Sequence, residues 1–378
     1  MVPRTLFGPE HEDFRKSMRR FYADEIMPHH ATWEERGHVD REIWNRAGEL
    51  GFLCLTVPEE YGGMGVDTLY SVILMEEQAY AGATGMSFST HNDIVASYIF
   101  NFGTEDQKKH WLPRMARGDA VGALAMTEPG TGSDLQAITT HAVKDGDDYV
   151  INGQKIFITN GYLSDIVLLV AKTGKGGAKN ISLILVETNR PGFSRGKPLK
   201  KVGLRAQDTC ELFFDDVRVP QTNLLGGVEG KAFPMLMKEL AFERLTVAVT
   251  SIAAATAALE TTLEYTRNRK VFGNPVASYQ NSRFKLAEMK AQIGIGQVYV
   301  DRCLELHLEK KLSGDAAAAA KYWSSELLCN VVDECVQLHG GYGFMLEYRI
   351  ARAYIDSRAS RIYVGTNEIM KEVIARAM

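Results

Sequence analysis

The chain has 378 residues, of which 45% are hydrophobic and 24% charged, so it is long enough for two or three domains and has the composition of a globular protein. Its net charge of −4 argues against a general nucleic-acid or anionic membrane surface. Five scattered cysteines without a Cys-x-x-Cys pair favour a reducing compartment, and no histidine spacing predicts a metal site.

Neither a membrane span nor a secretory signal is expected from the sequence. The longest apolar runs fall far short of the roughly 20 residues that cross a bilayer. The first residues, MVPRTLFGPEHEDF, turn charged and helical at once and lack the apolar core of a signal peptide. A bacterial cytoplasm is the expected location, and a mature mitochondrial matrix protein has the same features.

Residues 1–119 are predicted to form an all-α domain. The segments FRKSMRRFYADEI, EIWNRAGELGF, TLYSVILMEEQAY and DIVASYIFNF show helical spacing of apolar residues. A last helix follows, and we expect Thr104 and Glu105 to begin it, because a threonine before a polar first turn is a helix-start signal.

Residues 120–229 change to short β-rich runs and are predicted to form a compact β domain. Asp145-Gly146 and Asn152-Gly153 are read as turns between strands. GKGG at 174–177 is read as a loop tip between two strands. Neither a GxGxxG fingerprint nor a phosphate-binding GxxxxGK[ST] loop occurs.

Residues 230–378 return to helical periodicity. We expect long helices at 233–268, 280–312 and 315–338, the third with Asp315 as its N-cap. Helices this long and apolar predict a bundle, with subunit packing as a further possibility.

One carboxyl is out of place in the first of these helices. Glu243 falls inside an apolar stripe that includes Leu236, Leu240 and Val247. A buried carboxylate typically costs several kcal/mol unless a partner or a task keeps it there. Two ordinary explanations are open: Arg244 pairs with it, or it reaches water because the helix is apolar on other faces too.

Three segments combine glycines with hydroxyl or polar residues. They are AMTEPGTGSDLQA at 125–137, QLHGGYGFMLEYRIARAYID at 337–356 and RIYVGTNEIMK at 361–371. Each leaves backbone N–H groups available to a ligand. Any one alone is most simply a turn or a helix junction.

Taken together and in this order, the three segments resemble the signatures of the acyl-CoA dehydrogenase family, and the resemblance covers essentially the whole chain. The matching residues are Met126-Thr127-Glu128, Gly132-Ser133-Asp134, Gln337, Gly340-Gly341, Gly343, Glu347, Arg352 and Asp356. The segments 200–220, 266–273 and 362–376 are most similar to long-chain members. The resemblance implies an α+β fold with an N-terminal all-α domain, a middle β-barrel and a C-terminal four-helix bundle.

The resemblance also implies an FAD site between the middle domain and the C-terminal bundle. The implied residues of the same subunit are Met126, Thr127, Ser133, Phe157, Thr159, Thr366 and Glu368. A second subunit is expected to supply Arg269, Phe272 and Gln280, with Gln337, Gly340 and Gly341 beside them. For Phe157 and Phe272 taken alone, core packing is the alternative.

The family reaction is α,β-dehydrogenation of an acyl-CoA thioester, in which a carboxylate removes the α-proton while hydride leaves the β-carbon for the flavin. Many members carry the base as the glutamate of a Tyr-Glu-Gly-Thr segment, where this chain has Val364. Glu243, directly before Arg244, resembles the base of the long-chain and isovaleryl branches, and burial is expected to raise its pKa.

The resemblance extends to the substrate. The acyl chain is expected to be medium-length, long or branched. The Val364 N–H, next to Gly365, is expected at the thioester oxygen. Arg244 is expected to orient the loop or contact the CoA end, and Ser133 is also expected to contact the substrate. The acyl tail is expected to pass Ser87 and His91, and His91 either lines this tunnel or is a partly exposed helix residue.

Family members suggest a homotetramer that passes electrons to an electron-transferring flavoprotein. Two alternatives stay open: an oxygen-using acyl-CoA oxidase or flavin monooxygenase of the same fold, and a non-catalytic acyl-CoA-binding paralogue in which Val364 marks lost activity.

Overall fold

The fold is described from a computed structural model, which covers residues 2–174 and 177–378. Lys175 and Gly176, at the centre of the predicted GKGG loop tip, lie outside the described residues. Along the chain the elements run from helices through a sheet to helices again, so the predicted order of helical, β and helical domains is confirmed.

The N-terminal part is helical, as the spacing of its apolar residues predicts. Its helices are α1 (Pro9–Phe21), α2 (Met27–Arg36), α3 (Glu42–Glu49), α4 (Thr68–Ala81), α5 (Ala96–Phe102) and α6 (Glu105–Ala116), with π-helical turns at Tyr22–Ile26 and Thr90–Val95. The predicted start of α6 is confirmed, because the Thr104 hydroxyl accepts a hydrogen bond from the Gln107 N–H at 3.3 Å and the Gln107 side chain accepts one from the Thr104 N–H at 3.0 Å.

The middle part is a seven-stranded sheet. Its strands are β1 (Gly122–Ala125), β2 (His141–Asp145), β3 (Asp148–Thr159), β4 (Ile166–Lys172), β5 (Ile181–Glu187), β6 (Phe193–Arg195) and β7 (Thr209–Pro220). The order is β1-β4-β2-β3-β7-β6, with β5 paired to β4. Among the described strands these pairings follow an open, branched path, so the sheet is more open than the predicted barrel.

Of the two predicted turns in this region, only Asp145-Gly146 separates strands. Asn152 and Gly153 lie inside β3, where the pairing with β7 shifts between Ile151 and Gly153. Gly153 has φ of +150°, and a Cβ there would stand 2.4 Å from the Thr140 hydroxyl oxygen. The glycine is therefore needed for a bulge and a close approach of backbone, and not for a hairpin turn.

The C-terminal part is built on long helices. They are α7 (Ala232–Asn268), α8 (Gln280–Leu308), α9 (Gly314–His339), α10 (Arg349–Ser357) and α11 (Asn367–Arg376), and the short strands β8 (Lys270–Val271) and β9 (Asn274–Pro275) pair between α7 and α8. The predicted cap of α9 is wrong by two residues: Ser313 has extended backbone angles and accepts from the Ala316 N–H, whereas Asp315 lies in the first turn.

Helix α7 is the central element. It packs against α9, α4 and α8. By length and composition it is apolar enough to cross a membrane, but 72% of its most apolar window is buried inside the protein. Val72 and Met75 of α4 share one apolar cluster with Leu245 and Val249 of α7, so the first and last parts of the chain have a common core.

Candidate active site

Glu243 on α7 is buried, with 4% of its surface exposed. The hydroxyl of Tyr98, on α5, donates a hydrogen bond to Glu243 Oε1 at 3.0 Å. Both ordinary explanations are therefore wrong: the carboxyl does not reach water, and in the described part of the chain no ion pair joins it to Arg244. The buried Nε of Arg244 has no hydrogen-bond partner among the described residues.

Burial raises the pKa of Glu243 to about 7, as expected from its position. The Tyr98 hydrogen bond opposes this rise by favouring the carboxylate, and the nearby carboxyl of Glu239 adds to it. In turn, burial and the neighbouring Glu243 raise the pKa of Tyr98, which therefore stays a hydrogen-bond donor. A carboxyl poised near neutral pH can take up or release a proton at ordinary working pH.

A cavity of about 350 Å³ lies between the first and last parts of the chain. Glu243 is not among its lining residues, and the cavity wall on α7 begins at Thr246, whose hydroxyl donates to the Glu243 carbonyl at 2.8 Å. This wall on α7 is one broad helical face made of Thr246, Val247, Thr250, Ser251, Ala254, Ala257, Ala258 and Thr261. Among the residues expected at the site, Ser87, Thr159 and Val364 line it. Small side chains dominate the α7 face, and this leaves room for a long, narrow ligand.

His91 lies elsewhere, and both sequence interpretations of it are corrected. It is not among the cavity-lining residues, and it is fully buried and not partly exposed. Its Nδ1 accepts a hydrogen bond from the Gly122 N–H at 3.1 Å, and its Nε2 lies 3.1 Å from the Met115 carbonyl. Burial lowers its pKa to about 4, so the neutral ring ties the Thr90–Val95 turn to β1.

The backbone at Val364 and Gly365 is left-handed, with φ of +55° and +89°. This conformation is uncommon for a β-branched residue and marks a position where the surroundings fix the backbone. Lys321, buried on α9, donates to the Gly365 carbonyl at 2.9 Å and to Asn367 Oδ1 at 2.8 Å. Burial lowers the pKa of this lysine to about 8.

Lys321 is a site residue that the sequence reasoning missed. The only available signal was a lysine within the alanine-rich start of α9, where a buried cation needs a partner.

Two residues after Val364, the Thr366 hydroxyl caps α11 by accepting from the Ile369 N–H at 3.3 Å, and Glu368 lies exposed in its first turn.

A buried ion pair holds the segment that contains Met126 and Thr127. Lys155, fully buried on β3, donates to Glu128 Oε1 at 2.9 Å and to the Met126 carbonyl at 2.8 Å. Glu128 also accepts from the Thr139 and Thr140 N–H groups. Although Glu128 lies within the first signature, the sequence gave no sign of this anchoring role, since its partners are distant in sequence.

The residues that the resemblance places at the flavin are partly or fully exposed. Met126 and Thr127 are partly buried, Ser133 is exposed, and a Cβ at Gly130 or Gly132 would meet no atom within 4 Å. Phe157 is 63% exposed with φ of +61°, so core packing is wrong for it. An exposed aromatic in a costly backbone conformation suits stacking against a flat ring.

A second group of expected residues lies around the end of α7. Phe272 is 95% exposed, with φ of +48°, so core packing is wrong here too. The Arg269 guanidinium lies 5.5 Å from the ring centre of Tyr342, next to Gly340 and Gly341, and has no acidic partner within 4 Å among the described residues. Gln280 and Gln337 are exposed in the same group. A free guanidinium beside open glycines fits a pyrophosphate-bearing cofactor.

Comparison with known protein families covers nearly the whole chain. The family patterns described as acyl-CoA dehydrogenase N-terminal, middle and C-terminal domain match residues 8–119, 123–217 and 230–378. Long-chain specific acyl-CoA dehydrogenase of Sus scrofa mitochondria is 52% identical over 376 residues, which span 99% of this chain and 87% of that protein.

Solved structures give the same result. A crystal structure of acyl-CoA dehydrogenase from Geobacillus kaustophilus has a TM-score of 0.97 at 47% identity and covers 99% of each chain. One described as an electron transferring flavoprotein of Acidaminococcus fermentans has a TM-score of 0.92 at 36% identity and covers 99% of each chain. An FAD complex of acyl-CoA dehydrogenase from Bacillus anthracis has a TM-score of 0.92 at 34% identity and covers 98% of this chain and 67% of that one.

Proposed function

Since the chain belongs to the acyl-CoA dehydrogenase family, we propose that it converts a long-chain acyl-CoA thioester to the trans-2-enoyl-CoA, with Glu243 as the base that removes the α-proton. The observation that carries this proposal is the buried carboxyl itself, whose pKa is raised to about 7 on the turn of α7 that leads to the cavity wall at Thr246. Val364 lines that cavity but has no group that accepts a proton. The buried Glu243 supports a base that has moved from position 364 to α7, and this is preferred to lost activity.

FAD is the cofactor of this family, and the residues present fit it. We propose that Phe157, Thr159, Met126 and Thr127 hold the flavin ring, with Ser133 near the ring or pyrophosphate, and that Thr366 and Glu368 complete this part of the site. Arg269, Phe272, Gln280, Gln337, Gly340 and Gly341 form the adenosine and pyrophosphate part, across a subunit contact. When bound, FAD supplies the acceptor for the hydride that leaves the β-carbon.

The protein's own contribution to the chemistry is a proton transfer and its stabilisation. The Cα–H bond breaks, its proton moves to a Glu243 oxygen, and the electron pair forms the new double bond as hydride leaves Cβ. We propose that the Val364 N–H, which has no backbone acceptor among the described residues, donates to the thioester oxygen as negative charge develops there. Lys321 holds that segment in place, and Arg244 orients the CoA end.

The length of the cavity supports a long acyl chain. Its α7 wall extends from Thr246 to Thr261, which is about 22 Å at 1.5 Å per residue. An extended hydrocarbon advances about 1.25 Å per carbon, since C–C bonds of about 1.5 Å meet at near-tetrahedral angles. The wall therefore matches a chain of roughly 16 to 18 carbons.

We also propose a homotetramer in a bacterial cytoplasm that passes electrons to an electron-transferring flavoprotein. The exposed Phe272 and Arg269 support assembly, because a cofactor site on this surface is incomplete without a covering partner. The Acidaminococcus fermentans structure is described as an electron transferring flavoprotein, which is consistent with a role in electron transfer for chains of this fold.

The proposed reaction is tested by adding acyl-CoAs of increasing chain length to the FAD-loaded protein without oxygen and following loss of the oxidised-flavin absorbance. Long chains are expected to reduce the flavin fastest, because they fill the cavity. No reduction with any chain would favour the non-catalytic paralogue. Rapid oxygen consumption with the same substrate, in the absence of another acceptor, would favour the oxidase or monooxygenase.

The pH profile gives a second prediction. Glu243 accepts a proton only as the carboxylate, so kcat/KM is expected to rise with pH and level off above its pKa of about 7. The Tyr98 hydrogen bond lowers that pKa, so Tyr98→Phe is expected to move the rising limb to higher pH by about one unit, the equivalent of one hydrogen bond to a charged group. Profiles between about pH 5 and 9 measure both.

Tyr61→Phe is the matched control, because Tyr61 donates to Glu105 at 2.8 Å and neither residue lines the cavity. It is expected to leave the profile in place. A rising limb near the ordinary glutamate pKa of 4.5, or one unmoved by Tyr98→Phe, would contradict the role of Glu243.

A further inference from the structure

The far end of the cavity is charged, although most of a long acyl chain is apolar. Arg349, Arg352 and Glu34 line the cavity there. Arg349 lies near the Thr261 end of α7, since its electrostatic neighbours include Glu260. Partly buried charged groups in a cavity that holds hydrocarbon are costly unless each is compensated.

Two of these charges compensate each other, and one does not. Arg352 Nη1 lies 3.5 Å from Glu34 Oε2. Asp356, another lining residue, accepts from the Leu204 N–H at 2.5 Å. In the described part of the chain no carboxylate oxygen lies within 4 Å of the Arg349 guanidinium. Burial, together with the nearby Arg352, lowers the pKa of Arg349, and the charge of Glu260 opposes this shift without forming an ion pair.

The geometry leaves donors of Arg349 free. Nη2 donates to the carbonyls of Tyr80 and Ala79 and so fixes the side chain against the end of α4. Nε and Nη1 have no acceptor among the described residues. A Cβ at Gly82 would stand 3.4 Å from Nε and 3.6 Å from Nη2, so the glycine leaves more space around Nε. Nε–H and Nη1–H point to different sides of the guanidinium, so each can donate one charge-assisted hydrogen bond to a carboxylate oxygen.

We infer that the cavity accepts acyl-CoA chains that end in a second carboxylate, and that this distal carboxylate pairs with Arg349. The inference rests on the proposed function and narrows its substrate class to long ω-carboxyacyl-CoA thioesters. A methyl end would leave this partly buried guanidinium without an ion-pair partner, whereas a carboxylate supplies one. The α7 wall of about 22 Å places the carboxylate near Arg349 only when the chain has roughly 16 to 18 carbons.

The first test compares kcat/KM of the wild-type, FAD-loaded protein for hexadecanedioyl-CoA, thioesterified at one end, with that for palmitoyl-CoA. The two values are expected to agree within about 3-fold, because pairing with Arg349 offsets the desolvation of the carboxylate. Octanedioyl-CoA is too short to reach Arg349 and is expected to be poor relative to octanoyl-CoA. A preference of more than about 30-fold for palmitoyl-CoA would overturn the inference, since an unpaired buried charge costs at least that much.

Substitutions of Arg349 test whether its guanidinium, and not another part of the cavity, accepts the distal carboxylate. Arg349→Met is expected to lower the ratio of hexadecanedioyl-CoA to palmitoyl-CoA kcat/KM by at least about 30-fold, and Arg349→Lys by less, since it keeps the charge. Arg358→Met is the control, because Arg358 is exposed just beyond α10 and does not line the cavity.

An unchanged ratio in Arg349→Met would overturn the inference. If that variant does not fold, the inference is tested by the wild-type comparison of 16-carbon and 8-carbon substrates and by Arg349→Lys. Failure of palmitoyl-CoA itself to reduce the flavin marks failure of the proposed function. Reduction by palmitoyl-CoA with rejection of the ω-carboxy chain marks failure of this inference alone.

Discussion

Glu243→Gln is expected to slow reduction of the flavin by a long-chain acyl-CoA by at least about 10²-fold, the lower end of what a general base contributes. Glutamine has nearly the shape of glutamate and can still accept the Tyr98 hydrogen bond, so the loss isolates proton transfer from packing. The measurement is the rate of flavin bleaching after rapid anaerobic mixing, with wild type and variant side by side. FAD content, read from the oxidised spectrum, is expected to stay the same.

Glu239→Gln is the matched control. Glu239 lies one helical turn before Glu243 on α7, is partly buried and pairs with the Asn101 side chain at 3.0 Å. It raises the pKa of Glu243, so its removal is expected to change the pH profile slightly without a comparable loss of rate. Equal rates for Glu243→Gln and wild type would place the base elsewhere. A loss of FAD in Glu243→Gln would indicate that Glu243 maintains the structure of the cofactor site and does not act as the base.

Lys155→Met is expected to destabilise the middle domain by about 3 to 5 kcal/mol, because it leaves Glu128 buried without its counter-charge. The thermal unfolding midpoint is expected to fall by on the order of 10 °C. Since Lys155 also holds the Met126 carbonyl, the variant is expected to bind FAD more weakly. Calorimetry and the fraction of bound flavin after gel filtration measure the two effects.

The double variant Glu128→Gln/Lys155→Met removes both charges and is expected to recover much of the lost stability. Lys144→Met is the surface control: Lys144 lies 3.2 Å from Glu229, but half of its side chain is exposed, and such pairs contribute about 0 to 1 kcal/mol. A double variant as unstable as Lys155→Met would show that packing, and not the unpaired charge, causes the loss.

The ion pair between Glu128 and Lys155 can also be tested by measuring stability at low pH. Hydrogen bonds from Thr140 and Thr139 and the charge of Lys155 outweigh burial and lower the pKa of Glu128 to about 2. Because the folded-state pKa of Glu128 lies below the ordinary 4.5, the contribution of this carboxylate to stability is full above pH 4.5 and is lost as the pH falls toward 2. Lys155→Met is expected to lose less stability over that range.

Local sequence signals predicted the elements well. Apolar spacing gave the helices, the Thr104 capping signal gave the start of α6, and the odd carboxyl on α7 drew attention to Glu243. The errors arose where a local signal had two meanings. Asn152-Gly153 is a turn dipeptide that here serves a bulge, and Ser313 caps α9 two residues before the aspartate that has the same capping chemistry.

The hydrogen-bond partners of buried polar groups could not be predicted from the sequence. Tyr98 and Glu243 are 145 positions apart, and Lys321 meets Gly365 across 44. No periodicity links such residues, because tertiary packing alone brings them together. His91 shows the same limit: a histidine on a helix can line a cavity or bridge two backbones, and only the neighbours distinguish the two.

The hydrogen bond between Tyr98 and Glu243 crosses from the first part of the chain to the last, which share one core through α4 and α7. The acidity of Glu243 therefore reports how closely these two parts are joined. If the contact opens, water reaches the carboxyl, its pKa falls back toward 4.5, and the protein loses a tuned base although every residue is still present. A change in the contact between the first and last parts of the chain is therefore also a change in the proton affinity of Glu243.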